Sequence, residues 1–264
     1  MFDDDRGHRL AHDLELLGTK LRRRPLLQLI GSAGLLPLIG CEGDDDGGGD
    51  ASDDSDPCSA IPAETAGPYP GDGSNGPNAL ALAGIVRSDI RSSVGDAAGT
   101  AEGVPLTLRL TLVSRAGGCV PLAARAVYVW HCDRDGFYSL YTLPEQNYLR
   151  GVQETEDDGT ATFLTIFPAC YPGRWPHFHF EVYPSLAAAT QASTAVATSQ
   201  LALPAQVCDE VFATEGYEAS VTTFAQISLG TDGVFRDGAS LQMASMTGSL
   251  EAGYVASWTI VVDD

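Results

Sequence analysis

Apolar and polar residues alternate from Pro105 to Val113, where Leu106, Leu108, Leu110 and Leu112 interleave with Thr107, Arg109 and Thr111. Successive side chains of an extended chain point to opposite faces, so this period of two predicts a strand with one buried face. Four further runs read as strands: Ala126 to His131, Thr160 to Ile166, His177 to Tyr183 and Tyr254 to Val262. Turn clusters such as Asp157-Asp158-Gly159 and Pro172-Gly173 separate them. Helix-favouring patterns are scarce, no internal repeat is visible, and 29 Gly and 15 Pro punctuate many short apolar runs. The expectation is an all-β fold, a single β-sandwich domain with long loops over residues 58–264.

Upstream of that domain the pattern changes twice. Arg22, Arg23 and Arg24 precede an apolar stretch, Pro25 to Gly40, that is short for a membrane span and has the three-part shape of a signal peptide. Arg23-Arg24-Pro25-Leu26-Leu27 resembles a twin-arginine export signal, and Leu38-Ile39-Gly40-Cys41 resembles a bacterial lipobox, which would make Cys41 the lipidated first residue of the mature chain. Residues 1–40 are therefore expected to be a signal peptide. Residues 41–57 then form an acidic, Gly/Asp-rich tether, disordered because EGDDDGGGDASDDSD holds no large apolar residue to bury. Asp44, Asp45, Asp46 and Asp50 offer oxygen ligands for calcium but lack the ordered spacing of a calcium loop. The address implied is export, with a lipid anchor to the bacterial cell envelope as the membrane contact.

A net charge of -20, with only 15 Lys and Arg spread along the chain, excludes a nucleic-acid partner. Five cysteines remain besides Cys41, so at least one stays unpaired within the domain, and no zinc-ligand spacing appears. Their connectivity and the oligomeric state are not legible.

Candidate chemistry sits on HFHFEVY. On a strand His177 and His179 share one face, roughly 6.5–7 Å apart at Cα, close enough to converge on one metal. The pair alone also fits a copper or zinc site, or histidines with no ligand. Its surroundings add oxygen donors and a cation: Tyr171 and Arg174 lie in the loop just upstream, and Trp130-His131-Cys132-Asp133 leads through Arg134-Asp135-Gly136 to Tyr138.

In these contexts the chain resembles the intradiol ring-cleavage dioxygenases, the family of the protocatechuate and catechol dioxygenases, and especially its shorter secreted members. A Tyr follows a W-H-x-x-x-x-G-x stretch, as Tyr138 does, and a second Tyr precedes R-x-x-H-x-H, as Tyr171 precedes Arg174, His177 and His179. Weaker likenesses are Pro62 to Tyr69, Arg87 to Ile90, Leu149 to Gln153, Thr198 to Leu201 and Asp232 to Gly238, so the resemblance spans roughly Ile61 to the C-terminus.

The resemblance implies one Fe(III) held by Tyr138, Tyr171, His177 and His179, with a catechol-type substrate and dioxygen as partners. Phenolates are hard anionic donors that favour ferric iron, and two of them with a hydroxide leave a neutral centre that can be buried. It also implies that Tyr171 is the ligand displaced by substrate and accepts a proton, that Arg174 stabilises negative charge on the ring, and that Gln200 lines the substrate pocket. His131 is expected to be structural, and Tyr141, Tyr148 and Tyr183 to be core or rim aromatics. The loop between Tyr171 and His177 is shorter than in the best-known catechol and protocatechuate enzymes, and their helical dimerisation domain is missing, which leaves substrate and assembly open. The rival reading is a non-catalytic or copper- or zinc-binding exported β-sandwich lipoprotein.

Overall fold

The computed structural model describes residues 58–263. The signal peptide, Cys41 and the acidic tether lie outside the described residues. The strands are β1 (Pro105–Ser114), β2 (Val120–Pro121), β3 (Ala126–Trp130), β4 (Arg150–Glu154), β5 (Thr160–Ile166), β6 (His177–Tyr183), β7 (Ala197–Ala202), β8 (Ser245–Ser249) and β9 (Gly253–Val262). Two short helices, α1 (Ala205–Phe212) and α2 (Glu218–Phe224), follow β7.

In one sheet β1 is central, antiparallel to β5 and β2 and parallel to β9, which carries β8 on its other edge. The other sheet is antiparallel throughout, in the order β4-β3-β6-β7. Leu106, Leu108, Leu110 and Leu112 of β1 join Val127 and Val129 of β3 and Phe178, Phe180 and Val182 of β6 in one apolar core. Those four leucines are 0–2% exposed, and each contributes about 1.5–3 kcal/mol relative to an exposed side chain.

The second sheet is buried on both faces, as the unbroken burial of β3 and β6 shows. While Phe178, Phe180 and Val182 of β6 fill the core, the alternate residues His177, His179, Glu181 and Tyr183 face outward with Tyr128 and Trp130. That outer face is roofed by residues 61–82 and by the loop 131–149, whose Ala66, Tyr69, Leu80, Tyr138 and Leu140 pack with Tyr128, Trp130 and Tyr183.

The predicted strands are present to within a residue at their ends, whereas β2, β4, β7, β8 and the helices were not anticipated. Helix α1 earns its place through Cys208, Val211 and Phe212, which join the core. A disulfide links Cys58 to Cys119, and Cys132, Cys170 and Cys208 are buried thiols.

Candidate metal centre

Strand register puts Trp130 beside His179 and His179 beside Gln200, a row across the outer face of the second sheet. The Trp130 indole stacks on the His179 imidazole with centroids 5.0 Å apart and planes 8° from parallel. His177 turns Nδ1 to the Trp175 carbonyl; with the proton there, Nε2 keeps a lone pair directed at the site. Tyr138 arrives on the loop after β3. The Asp133 carboxylate shapes that loop by accepting from the amides of Asp135 at 3.0 Å and Phe137 at 2.9 Å, and Tyr138 N donates to Thr142 Oγ1 at 2.8 Å. Tyr171 comes from the loop between β5 and β6, where the Arg174 amide donates to its carbonyl at 3.2 Å.

The four predicted ligands meet in a closed ring of contacts. His177 Nε2 lies 3.0 Å from His179 Nε2, His179 Nε2 lies 3.2 Å from Tyr138 Oη, Tyr138 Oη lies 3.3 Å from Tyr171 Oη, and Tyr171 Oη lies 3.3 Å from His177 Nε2. Nitrogen and oxygen ligands about 2.0–2.1 Å from a first-row metal stand about 2.8–3.4 Å apart for angles from 90° to tetrahedral. The separations therefore fit four donors to one ion. Among the described residues no group of three or more His, Cys, Asp or Glu side chains is placed to hold a metal, so this cluster owes half its donors to tyrosine.

Burial pushes the Tyr171 phenol up to about 12 and the Tyr138 phenol well above its ordinary range. It presses His177 down to about 3 and His179 well below the usual imidazole value. Left to themselves the four groups are thus neutral at pH 7, and a bound cation is the agent that would draw phenolates from the two tyrosines.

Arg174 is buried beside this ring. Its Nε donates to Asp232 Oδ2 at 3.0 Å and its Nη2 donates to Gln200 Oε1. Burial alone would depress the guanidinium, but Tyr171, Asp232 and Tyr138 carry it above its ordinary value. Gln200 Nε2 donates to Thr65 O at 2.8 Å, so the side chain links Arg174 to the segment roofing the site. That segment closes on His179 at Gly67, whose φ of 74° and whose absent Cβ, which would stand 3.2 Å from His179 Cε1, both call for glycine.

His131 lies away from the ring on the inner face, with Nε2 2.6 Å from Thr165 Oγ1, Nδ1 2.7 Å from Cys132 O and its edge against Phe178. Tyr183 is buried, Tyr148 is nearly so, and Tyr141 sits at the rim with its hydroxyl on Asn75 Oδ1 at 2.6 Å. Sequence reasoning missed Asp232, the anchor of Arg174, and the stacking role of Trp130. Both stood within quoted motifs, but nothing in their spacing showed which residue each would touch.

The sequence model of a family described as Dioxygenase matches residues 75–237, the interval holding Tyr138, Tyr171, Arg174, His177, His179, Gln200 and Asp232. An intradiol ring-cleavage dioxygenase from Tetranychus urticae shares the fold at a TM-score of 0.60, with 24% identity over 78% of this chain and 95% of its own. The dioxygenase domain of a dioxygenase and carbohydrate-binding protein fusion from Streptomyces sp. SirexAA-E is 22% identical over 78% of this chain and 99% of its own, with a TM-score of 0.48. No curated protein matches the chain in sequence.

Proposed function

The chain belongs to the intradiol ring-cleavage dioxygenase family, and from that premise we propose that it is a non-haem Fe(III) enzyme that opens catechol-type rings between the two hydroxyl-bearing carbons. Both atoms of dioxygen enter the product, a muconate-type diacid. The observation that carries this reading is the closed ring of Tyr138, Tyr171, His177 and His179 donor atoms, 3.0–3.3 Å apart.

These four residues would hold the iron. Ferric iron, when bound, supplies the electron-withdrawing centre that opens an electron-rich ring to dioxygen. The chain's own residues divide the remaining work. Tyr138, 2% exposed and pinned through Thr142, is the fixed phenolate. Tyr171 stands beside the Pro172-Gly173 turn and is less enclosed than Tyr138, so it would be the phenol to give way to a substrate. Freed of the metal, its Oη would be basic enough to hold a substrate proton, because an ordinary phenol titrates near 10 and burial raises this one further. Arg174, held by Asp232 and Gln200, presents a fixed charge beside Tyr171 to negative charge developing on the ring. Gln200 acts mainly through Arg174 and the roof.

The test is to load the purified chain with ferric iron, record its phenolate-to-iron absorption, and follow oxygen uptake with catechol, hydroxyquinol and protocatechuate. A burgundy protein yielding muconate-type diacids supports the reading. A protein that takes up zinc or copper in place of iron and consumes no oxygen, or cleavage beside the hydroxyls, overturns it. Export and lipidation at Cys41 complete the proposal, and the mass of the N-terminal peptide from a bacterial host tests them.

A further inference from the structure

Arg150, on β4, is 0% exposed, and among the described residues no carboxylate pairs with it. A guanidinium carries five N–H donors in a rigid fork, and here each has a neutral acceptor. Nε donates to Ser139 Oγ at 3.0 Å, Nη1 to Pro70 O at 2.6 Å and Tyr128 Oη at 3.1 Å, and Nη2 to Tyr69 O at 2.9 Å and Ser139 O at 3.0 Å.

Four of the five acceptors belong to two segments far apart in sequence, and the fifth, Tyr128 Oη, stands on the neighbouring strand β3. Ser139 follows Tyr138. Tyr69 and Pro70 continue the roof from Gly67, which lies against His179. The Tyr69 ring in turn rests on the Tyr138 ring at 5.1 Å and on Tyr141 at 5.2 Å. The approach of the fork also dictates Gly71: its φ is 65°, and a Cβ there would stand 2.8 Å from Arg150 Nη1.

We propose that Arg150 is a positioning residue for the centre: one buried guanidinium fixes the turn carrying Tyr138 and the roof over His179 to each other, so that both donors are set by the same fork. The proposal rests on the reading of Tyr138 and His179 as ligands. Its structural half does not need iron, because every contact in the clamp is between protein atoms.

The test uses the whole chain, metal-free, and compares wild type with Arg150→Lys and Ser139→Ala by peptide-level hydrogen exchange. Lysine has three donors and no fork, so Arg150→Lys is expected to speed exchange in residues 61–72 and 138–143 together by about tenfold or more, the consequence of unpaired buried acceptors. Exchange in β1 stays unchanged. Should Arg150→Lys fail to fold, Ser139→Ala decides the matter, with a smaller rise in the same two segments. A rise in only one segment, or a uniform rise that includes β1, overturns the clamp. In a second arm, ferric iron titrated against the phenolate absorption should bind Arg150→Lys about tenfold more weakly or worse; equal binding overturns the link to the centre. A wild-type chain that develops no such absorption would sink the proposed function while leaving the exchange result to judge the clamp.

Discussion

Replacing Asp232 with Asn is the sharpest test of how Arg174 is held beside the centre. Asp232 is 0% exposed. Its Oδ2 accepts from Arg174 Nε at 3.0 Å and Trp175 N at 2.7 Å, and its Oδ1 accepts from Val234 N at 2.7 Å and Phe235 N at 3.0 Å. An amide has one oxygen, so whichever way Asn turns, its NH2 meets two donors, and Arg174 loses its counter-charge. Breaking a buried pair from one side costs about 3–5 kcal/mol. At about 2–4 °C per kcal/mol for a domain of this size, the melting temperature should fall by about 6–20 °C at pH 7. Although burial works the other way, the Arg174 charge and the Trp175 and Val234 amides hold the Asp232 carboxyl below its usual range. For such a group the stabilisation is present above an ordinary Asp pKa of about 3.9 and is lost as pH falls through the folded value. The gap between wild type and variant should therefore be constant from pH 5 to 8 and close in stronger acid. The assay is a set of thermal melts across pH, repeated in an Arg174→Met background, where removing the unpaired cation should recover part of the loss. A gap below 2 °C at pH 7, or one that persists unchanged in acid, would refute the reasoning.

Three other substitutions probe separate links. Burial lowers the His131 imidazole to about 3, so its contribution is present above about 6.5 and lost as pH falls; His131→Gln should lose less melting temperature than wild type between pH 6.5 and 4. Burial, with Asp72 nearby, raises Glu181 to about 7, so that its stabilisation is full below an ordinary Glu pKa of about 4.3 and drains away as pH rises through 7. Glu181→Gln should remove the fall in stability between about pH 4.5 and 7, and an unchanged slope across that window would count against it. Gly67→Ala puts a side chain at left-handed φ against His179 and should cost about 1–2 kcal/mol; melts and ferric titration should both weaken, and retention of wild-type iron binding would mean the roof yields freely.

What could be read from the chain, and what could not, divides along burial. β1 and β5 face one core and show alternation, so their spans were legible, and HFHFEVY announced itself because histidines replace every second apolar residue. β4 and β7 were hidden for a physical reason: their sheet is covered on both sides, and positions such as Arg150 and Gln200 point into a polar interior built by loops, so RGVQE and ATSQLA look solvated. β8 is an exposed edge of small polar residues with little pattern to detect. The four candidate ligands were found through their local contexts, yet Asp232 and Arg150 act through partners 58 and 11 to 81 residues away, distances at which local pattern carries no information. The Cys58–Cys119 pairing, 61 residues apart, escaped for the same cause.

That disulfide sets how the domain bears tension. A pull on the chain ahead of Cys58 divides there, and one branch passes through sulfur into Cys119 at the turn between β1 and β2. β1 is paired along both edges, so this branch loads a strand held by many backbone hydrogen bonds at once. The other branch leads into the roof over His179, which Ile61 N and Glu64 N tie to Val261 O and Thr198 O, and the covalent bypass takes part of its load. A site whose cover begins three residues after the point of loading thereby bears less of the pull than it would without the Cys58–Cys119 link.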